Sequence, residues 1–166
     1  ALADFFRKEV LTGDNAYHCA VCGELVNAEK QLAIWEAPPI LVINFKRSMS
    51  DGSRIRKLVH LIQYNDTLDV SAYSVAGDSD PNQYSYQLYA VIVHTGVQLE
   101  SGHYFTYVRT KGNAWIMIDD MLCQQASLQD ALNHQSAYLL FYARATDFIA
   151  SSNSVGVVQA QPRSES

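Results

Sequence analysis

The sequence predicts an α+β fold, mainly antiparallel sheet with a few short helices. Three observations carry that expectation. Runs rich in Tyr, Val, Ile and Phe recur at 86–94, 103–109, 114–118 and 137–143, the composition of strands. Lys111-Gly112-Asn113 joins two of them, and Gly and Asn tolerate the positive φ that tight hairpins need. Helical spacing is confined to short stretches.

The chain of 166 residues, 48% apolar and 17% charged, is large enough for one domain with a real core. A net charge of -5 and a pI near 5.4 argue against nucleic acid as a partner. The densest basic stretch, Arg54-Ile55-Arg56-Lys57, reads as a solvated strand or loop. No leader and no apolar run of membrane-spanning length is visible, so no membrane is expected, and cytoplasm or nucleus is the default location. The first residue is Ala1 rather than Met, which fits a fragment or a processed product.

Residues 1–11 place Leu2, Phe5, Phe6 and Val10 near helical spacing, and Thr12-Gly13-Asp14-Asn15 then breaks the pattern. Residues 31–35 alternate weakly before Pro38-Pro39. The run 40–45 predicts a buried strand, and 55–62 a second strand. Residues 77–83 form a polar surface loop. Ser127 as N-cap with Asp130 at the third helical position predicts a short helix over 127–133. Residues 151–166 have the composition of a disordered tail.

The hairpin carries the chemistry. A turn centred on Lys111 places His103 opposite Asp119, within reach of a hydrogen bond that fixes the imidazole tautomer and leaves the second nitrogen as a base. Asp120 then points to the other face unless a bulge intervenes, and a one-residue slip exchanges the two aspartates. Spacing supports His103 with an aspartate more than Asp119 alone, and an ordinary cross-strand charge pair has the same spacing. Gly102 lets another chain approach closely.

Cys19 and Cys22 form a Cys-x-x-Cys pair, and with Cys123 the odd count does not read as a disulfide framework. The pair is half of a possible structural zinc site. A redox pair lacks its usual strand-to-helix setting, and a relict pair without metal is the remaining alternative.

The words themselves resemble a known family. Ser101-Gly102-His103-Tyr104-Phe105-Thr106-Tyr107-Val108-Arg109 followed by Trp115-Ile116-Met117-Ile118-Asp119-Asp120 closely resembles the histidine box of ubiquitin-specific proteases. The run 86–96 is similar to the strand before that box, 137–144 to the family's closing strand, and 17–22 to the second half of its zinc ribbon. Ala28, Lys30, Pro38 and the run 40–47 fit the segment after the ribbon. Ser48 after Arg47 and Asn65 after Tyr64 depart from it, where the family often has an aromatic residue and a proline. Cys123 stands where the family usually has an apolar residue, so the resemblance implies a small buried thiol there.

The resemblance implies that residues 1–144 are the C-terminal part of a papain-like catalytic domain, supplying palm and part of the fingers, with 145–166 a tail or linker. It implies a thiol-dependent deubiquitinase with ubiquitin and ubiquitinated proteins as partners and no catalytic cofactor. His103 is then the general base, Asp119 orients it, and Asp120 is the second acidic position. His94, Gly102 and Tyr104 line the channel for ubiquitin's C-terminal tail. Nothing here matches the family's cysteine box, so the nucleophile is expected outside this chain and the chain alone is expected to be inactive. A non-catalytic ubiquitin-binding scaffold of the same fold is the alternative.

Overall fold

The computed structural model describes residues 1–50, 52, 55–75, 81–96 and 101–147. The expected tail beyond Asp147, Arg54 and most of the 77–83 loop lie outside the described residues. The chain divides into two compact units, residues 1–37 with 70–79, and residues 38–69 with 80–166.

The smaller unit holds helix α1 (Leu2–Phe5) and four short strands, β1 (Glu9–Leu11), β2 (Tyr17–His18), β3 (Leu25–Val26) and β4 (Ala28–Lys30). The helix expected over residues 1–11 ends after one turn, because it lacks a side-chain N-cap and Val10 pairs with Glu29 in the β1–β4 ladder. A single turn fixes many dihedrals for few hydrogen bonds, whereas the ladder satisfies the same backbone. Phe6 stacks on Tyr73 with centroids 4.4 Å apart. Lys8–Glu29 and Lys30–Glu9 bridge the ladder at 3.1 and 3.7 Å but are solvent-exposed, so each adds little.

The larger unit is built on a seven-stranded antiparallel sheet. Its strands are β5 (Ile40–Asn44), β8 (Thr67–Asp69), β9 (Ser85–Thr95), β10 (His103–Arg109), β11 (Trp115–Asp119), β12 (Leu122–Ala126) and β13 (Ala137–Arg144). The path is β12–β11–β10–β9–β13–β5, with β8 paired with β9 off that path. A separate hairpin, β6 (Ser48–Ser50) with β7 (Ile55–Lys57), lies before β8. The strand expected over 55–62 stops at Lys57. Beyond it, Leu58 and His60 turn their carbonyls to the guanidinium of Arg47 instead of a strand.

β9 is the spine. Tyr86, Leu88, Ala90, Val91, Val93 and His94 are all buried, and the buried positions change phase between Ala90 and Val91. Buried residues that no longer alternate are those covered on both faces. β13 packs beside β9 with Leu140 and Tyr142 buried, and its register shifts twice along the pair. The run 40–45 was expected to be buried, but β5 is an edge strand with Ile40 and Val42 about half exposed. Apolar composition cannot distinguish an edge from a centre. Helix α2 (Leu128–Leu132) forms as expected: Ser127 accepts from the Asp130 amide, and the Asp130 carboxylate accepts from the Ser127 amide at 2.8 Å. Among the described residues no helix is long and apolar enough to cross a membrane.

Burial sets the expected response to mutation. Leu140→Ala, at a site 1% exposed, is expected to cost about 2–5 kcal/mol. Val42→Ala, 48% exposed on the neighbouring strand, is expected to cost less than about 1 kcal/mol. Denaturant unfolding of the two variants measures the difference.

Candidate active site

The site forms at one end of β10. Its pairing with β9 sets His103 against Thr95 and Tyr104 against His94, and the Thr95 hydroxyl donates to the His103 carbonyl at 3.2 Å. On the other side, β10 pairs with β11 from Arg109–Trp115 to Thr106–Ile118. The hairpin is therefore not centred on Lys111. The Thr110 amide donates to the Ala114 carbonyl at 2.8 Å, and the Asn113 amide to the Thr110 carbonyl at 2.9 Å, which centres the turn on Gly112. Asn113 takes the left-handed conformation at φ 70 while Gly112 does not. This is a three-residue loop closed by a left-handed residue.

The shifted register corrects the expected geometry. His103 is not opposite Asp119 but diagonal to it, two positions along. The two still share a face, because the offset is an even number of residues. The Nε2 of His103 meets Oδ1 of Asp119 directly. The pair expected by sequence is thus present for a different reason.

Asp120 was expected on the opposite face unless the strand was interrupted, and a turn interrupts it. Asp119 pairs with Leu122, so Asp120 and Met121 form a tight turn, with Asp120 at φ 50. Aspartate is one of the few residues that visits this region readily. The result brings ligand atoms of His103, Asp119 and Asp120 within 4.8 Å of one another. An imidazole beside two carboxylates can exchange protons.

His103 stands about half exposed and Asp119 less so. The hydrogen bond to Asp119 and then the charge of that carboxylate raise the His103 pKa above the ordinary histidine value, and Asp120 adds to the effect. With Nε2 engaged by Asp119, Nδ1 is left to exchange a proton.

His94 behaves in the opposite sense. It is 4% exposed, and burial, assisted by the charge of Lys57, lowers its pKa. Its ring stacks on that of Tyr104 at 4.2 Å and 11°, and Tyr104 keeps 52% of its surface exposed. Gly102 lies against this pair: a Cβ there would overlap the Thr95 carbonyl oxygen and His94 Nε2. Only glycine fits so close an approach. The solvated role expected for the stretch 54–57 fails at Lys57, whose ammonium contacts His94 Nδ1, His94 O and Gly96 O. Sequence carried no sign of this, since 37 positions separate Lys57 from His94.

Cys19 and Cys22 lie in the smaller unit, in the connection between β2 and β3. The Cys19 amide donates to Glu24 O at 2.9 Å and the Gly23 amide to Cys19 O at 2.8 Å. Backbone amides of Cys22 and then Val21 lower the Cys19 thiol pKa. Amides directed at a sulfur favour its deprotonated form, the form that binds a metal. Among the described residues no third metal-binding side chain joins the two. Cys123, expected buried, is exposed on edge strand β12.

Residues 6–142 match the family model described as ubiquitin carboxyl-terminal hydrolase. Ubiquitin carboxyl-terminal hydrolase 25 of Arabidopsis thaliana is 37% identical over 93% of this chain and 23% of its own length. Probable ubiquitin carboxyl-terminal hydrolase 16 of Schizosaccharomyces pombe is 37% identical over 87% of the chain and 31% of its own length. The chain thus spans about a quarter to a third of these curated relatives. Among solved structures, a SAGA DUB module of Ubp8, Sgf11, Sus1 and Sgf73 bound to monoubiquitin matches with TM-score 0.73 and 31% identity, covering 86% of this chain and 31% of that one. The module bound to ubiquitin aldehyde matches with TM-score 0.72 and 30% identity, covering 86% and 32%. The mainly antiparallel α+β architecture is the one these structures share.

The raised His103 pKa has a testable consequence. The ion pair contributes its stability fully below the ordinary histidine range and loses it as pH rises through the raised value. An NMR titration of the His103 ring is expected to give a midpoint above 6.5. Asp119→Asn is expected to lower that midpoint, since it removes the largest cause. An unchanged midpoint would contradict the assignment of Asp119 as partner.

Proposed function

The chain belongs to the ubiquitin carboxyl-terminal hydrolase family, and from that premise we propose that it is the histidine-bearing part of a thiol-dependent deubiquitinase that cleaves after the C-terminal glycine of ubiquitin. The observation that carries the reading is His103, held at Nε2 by Asp119 with Nδ1 left for proton exchange. A cysteine thiol supplied from outside this chain gives its proton to Nδ1. The paired imidazolium stabilises the thiolate, which attacks the isopeptide carbonyl. His103 returns the proton to the departing lysine amine and then activates water against the thioester. Asp119 fixes the ring throughout, and Asp120 adds negative charge beside the imidazolium.

Ubiquitin and ubiquitinated proteins are the proposed partners, consistent with related modules solved with monoubiquitin and ubiquitin aldehyde. Tyr104 and Gly102 offer an exposed ring and a bare backbone beside the histidine, suited to an extended Gly-Gly tail, with His94 supporting both. Cys19 and Cys22 supply half of a structural zinc site, the other ligands lying outside this chain. Without its nucleophile this chain alone is inactive.

The test uses a longer polypeptide carrying this sequence and ubiquitin bearing a C-terminal electrophile. A covalent adduct on a cysteine outside this chain is expected. His103→Ala is expected to slow ubiquitin hydrolysis about 10²–10⁴-fold, the usual worth of a positioned acid–base. A polypeptide that binds ubiquitin yet resists the probe would instead be a non-catalytic scaffold.

A further inference from the structure

The ammonium of Lys57 lies 2.8 Å from the His94 carbonyl oxygen, 2.8 Å from that of Gly96 and 3.3 Å from His94 Nδ1. A lysine ammonium has three N–H donors and no acceptor. His94 Nδ1 must therefore accept, which leaves the ring neutral with its proton on Nε2. The edge bearing Nε2 faces Gly102. The other two contacts fix the end of β9 and the residue after it. Gly96 has φ +113, and a Cβ there would fall 2.9 Å from Ser101 O and 3.0 Å from Gly102 Cα. The cation thus holds the β9 end of the connection to β10, and the Ser101–Gly102 end lies close against Gly96.

Lys57 is itself delivered by a rigid support. The Arg47 carbonyl accepts from the Leu58 amide at 2.9 Å, and the Arg47 guanidinium donates to the carbonyls of Leu58, His60 and Ala137 at 2.9, 3.0 and 2.6 Å. This ties the base of the β6–β7 hairpin to the start of β13, where Ala137 pairs with Val93, the neighbour of His94. Lys57 therefore arrives at His94 from an element anchored to the same sheet.

We propose that Lys57 is a positioning residue of the proposed substrate channel. It holds His94 as a single Nε2–H tautomer in one place, so that the Tyr104 ring and the Gly102 backbone present a preformed seat for ubiquitin's C-terminal tail. The role of this seat rests on the deubiquitinase reading above; the tautomer does not. Preformed seats strengthen binding by sparing the cost of ordering. Lys57 touches neither His103 nor the reacting bond, so its loss acts on binding rather than on chemistry.

The experiment takes the polypeptide that includes the nucleophile, with its histidines labelled with nitrogen-15. In the wild type without substrate, His94 is expected to be one neutral species protonated at Nε2. Lys57→Met is expected to mix the two tautomers and raise KM for a ubiquitin substrate about tenfold, the scale of a lost charged hydrogen bond. The kcat is expected to stay within about twofold. An Nδ1–H tautomer in the wild type overturns the proposal without recourse to any variant. So does a folded Lys57→Met protein that keeps one tautomer or an unchanged KM, or one that loses kcat at constant KM. A wild type that hydrolyses no ubiquitin substrate overturns the functional premise, and that result is separate from the tautomer, which is read without substrate.

Discussion

The pairing of β10 against β9 is the constraint on which the site depends. It sets His103 against Thr95 and Tyr104 against His94. A slip of one residue would send His103 to the opposite face, away from Asp119, and bring Tyr104 in its place. The slip is opposed by burial on β10 itself, where Tyr107 is buried, and turning it to the other face would give up apolar burial worth roughly 1.5–3 kcal/mol. Gly102 enforces the same register sterically, because its backbone lies where a Cβ would meet Thr95 and His94. A hydrophobic strand thus specifies the position of a solvent-exposed imidazole.

The two histidines of this region are driven apart by their surroundings. Burial and then Lys57 push the His94 pKa down, whereas Asp119 pushes that of His103 up. One ring is kept neutral as a packing and stacking element, and the other is prepared to hold a proton. Opposite shifts on neighbouring groups are how one fold assigns different acid–base roles to identical side chains. The carboxylates act from the β11–β12 end and the one cation, Lys57, from β7, so the charges that set the two roles come from different elements.

Much of this was legible in the sequence, for local reasons. The strands 103–109 and 137–144 follow from dense β-branched and aromatic runs, and helix α2 from a capping box readable as Ser127 and Asp130. His103 and Asp119 were found through hairpin geometry, although the turn is centred one residue later than expected. The error was harmless because it moved the pairing by an even number of positions. Asp120 needed a left-handed turn that spacing does not announce. The edge position of β5 and the link from Lys57 to His94 were invisible, since both depend on which distant segments become neighbours.

The proposed role of His103, held by Asp119, is to activate a thiol. The most direct measurement is the pH dependence of alkylation of the nucleophilic cysteine by a small neutral reagent, in a polypeptide that contains both. The wild type is expected to react at pH well below the ordinary thiol value of about 8.5, with His103→Ala returning the midpoint toward it and Asp119→Asn falling between. A midpoint that stays near the ordinary thiol value in the wild type, or one that neither substitution moves, would contradict the claim.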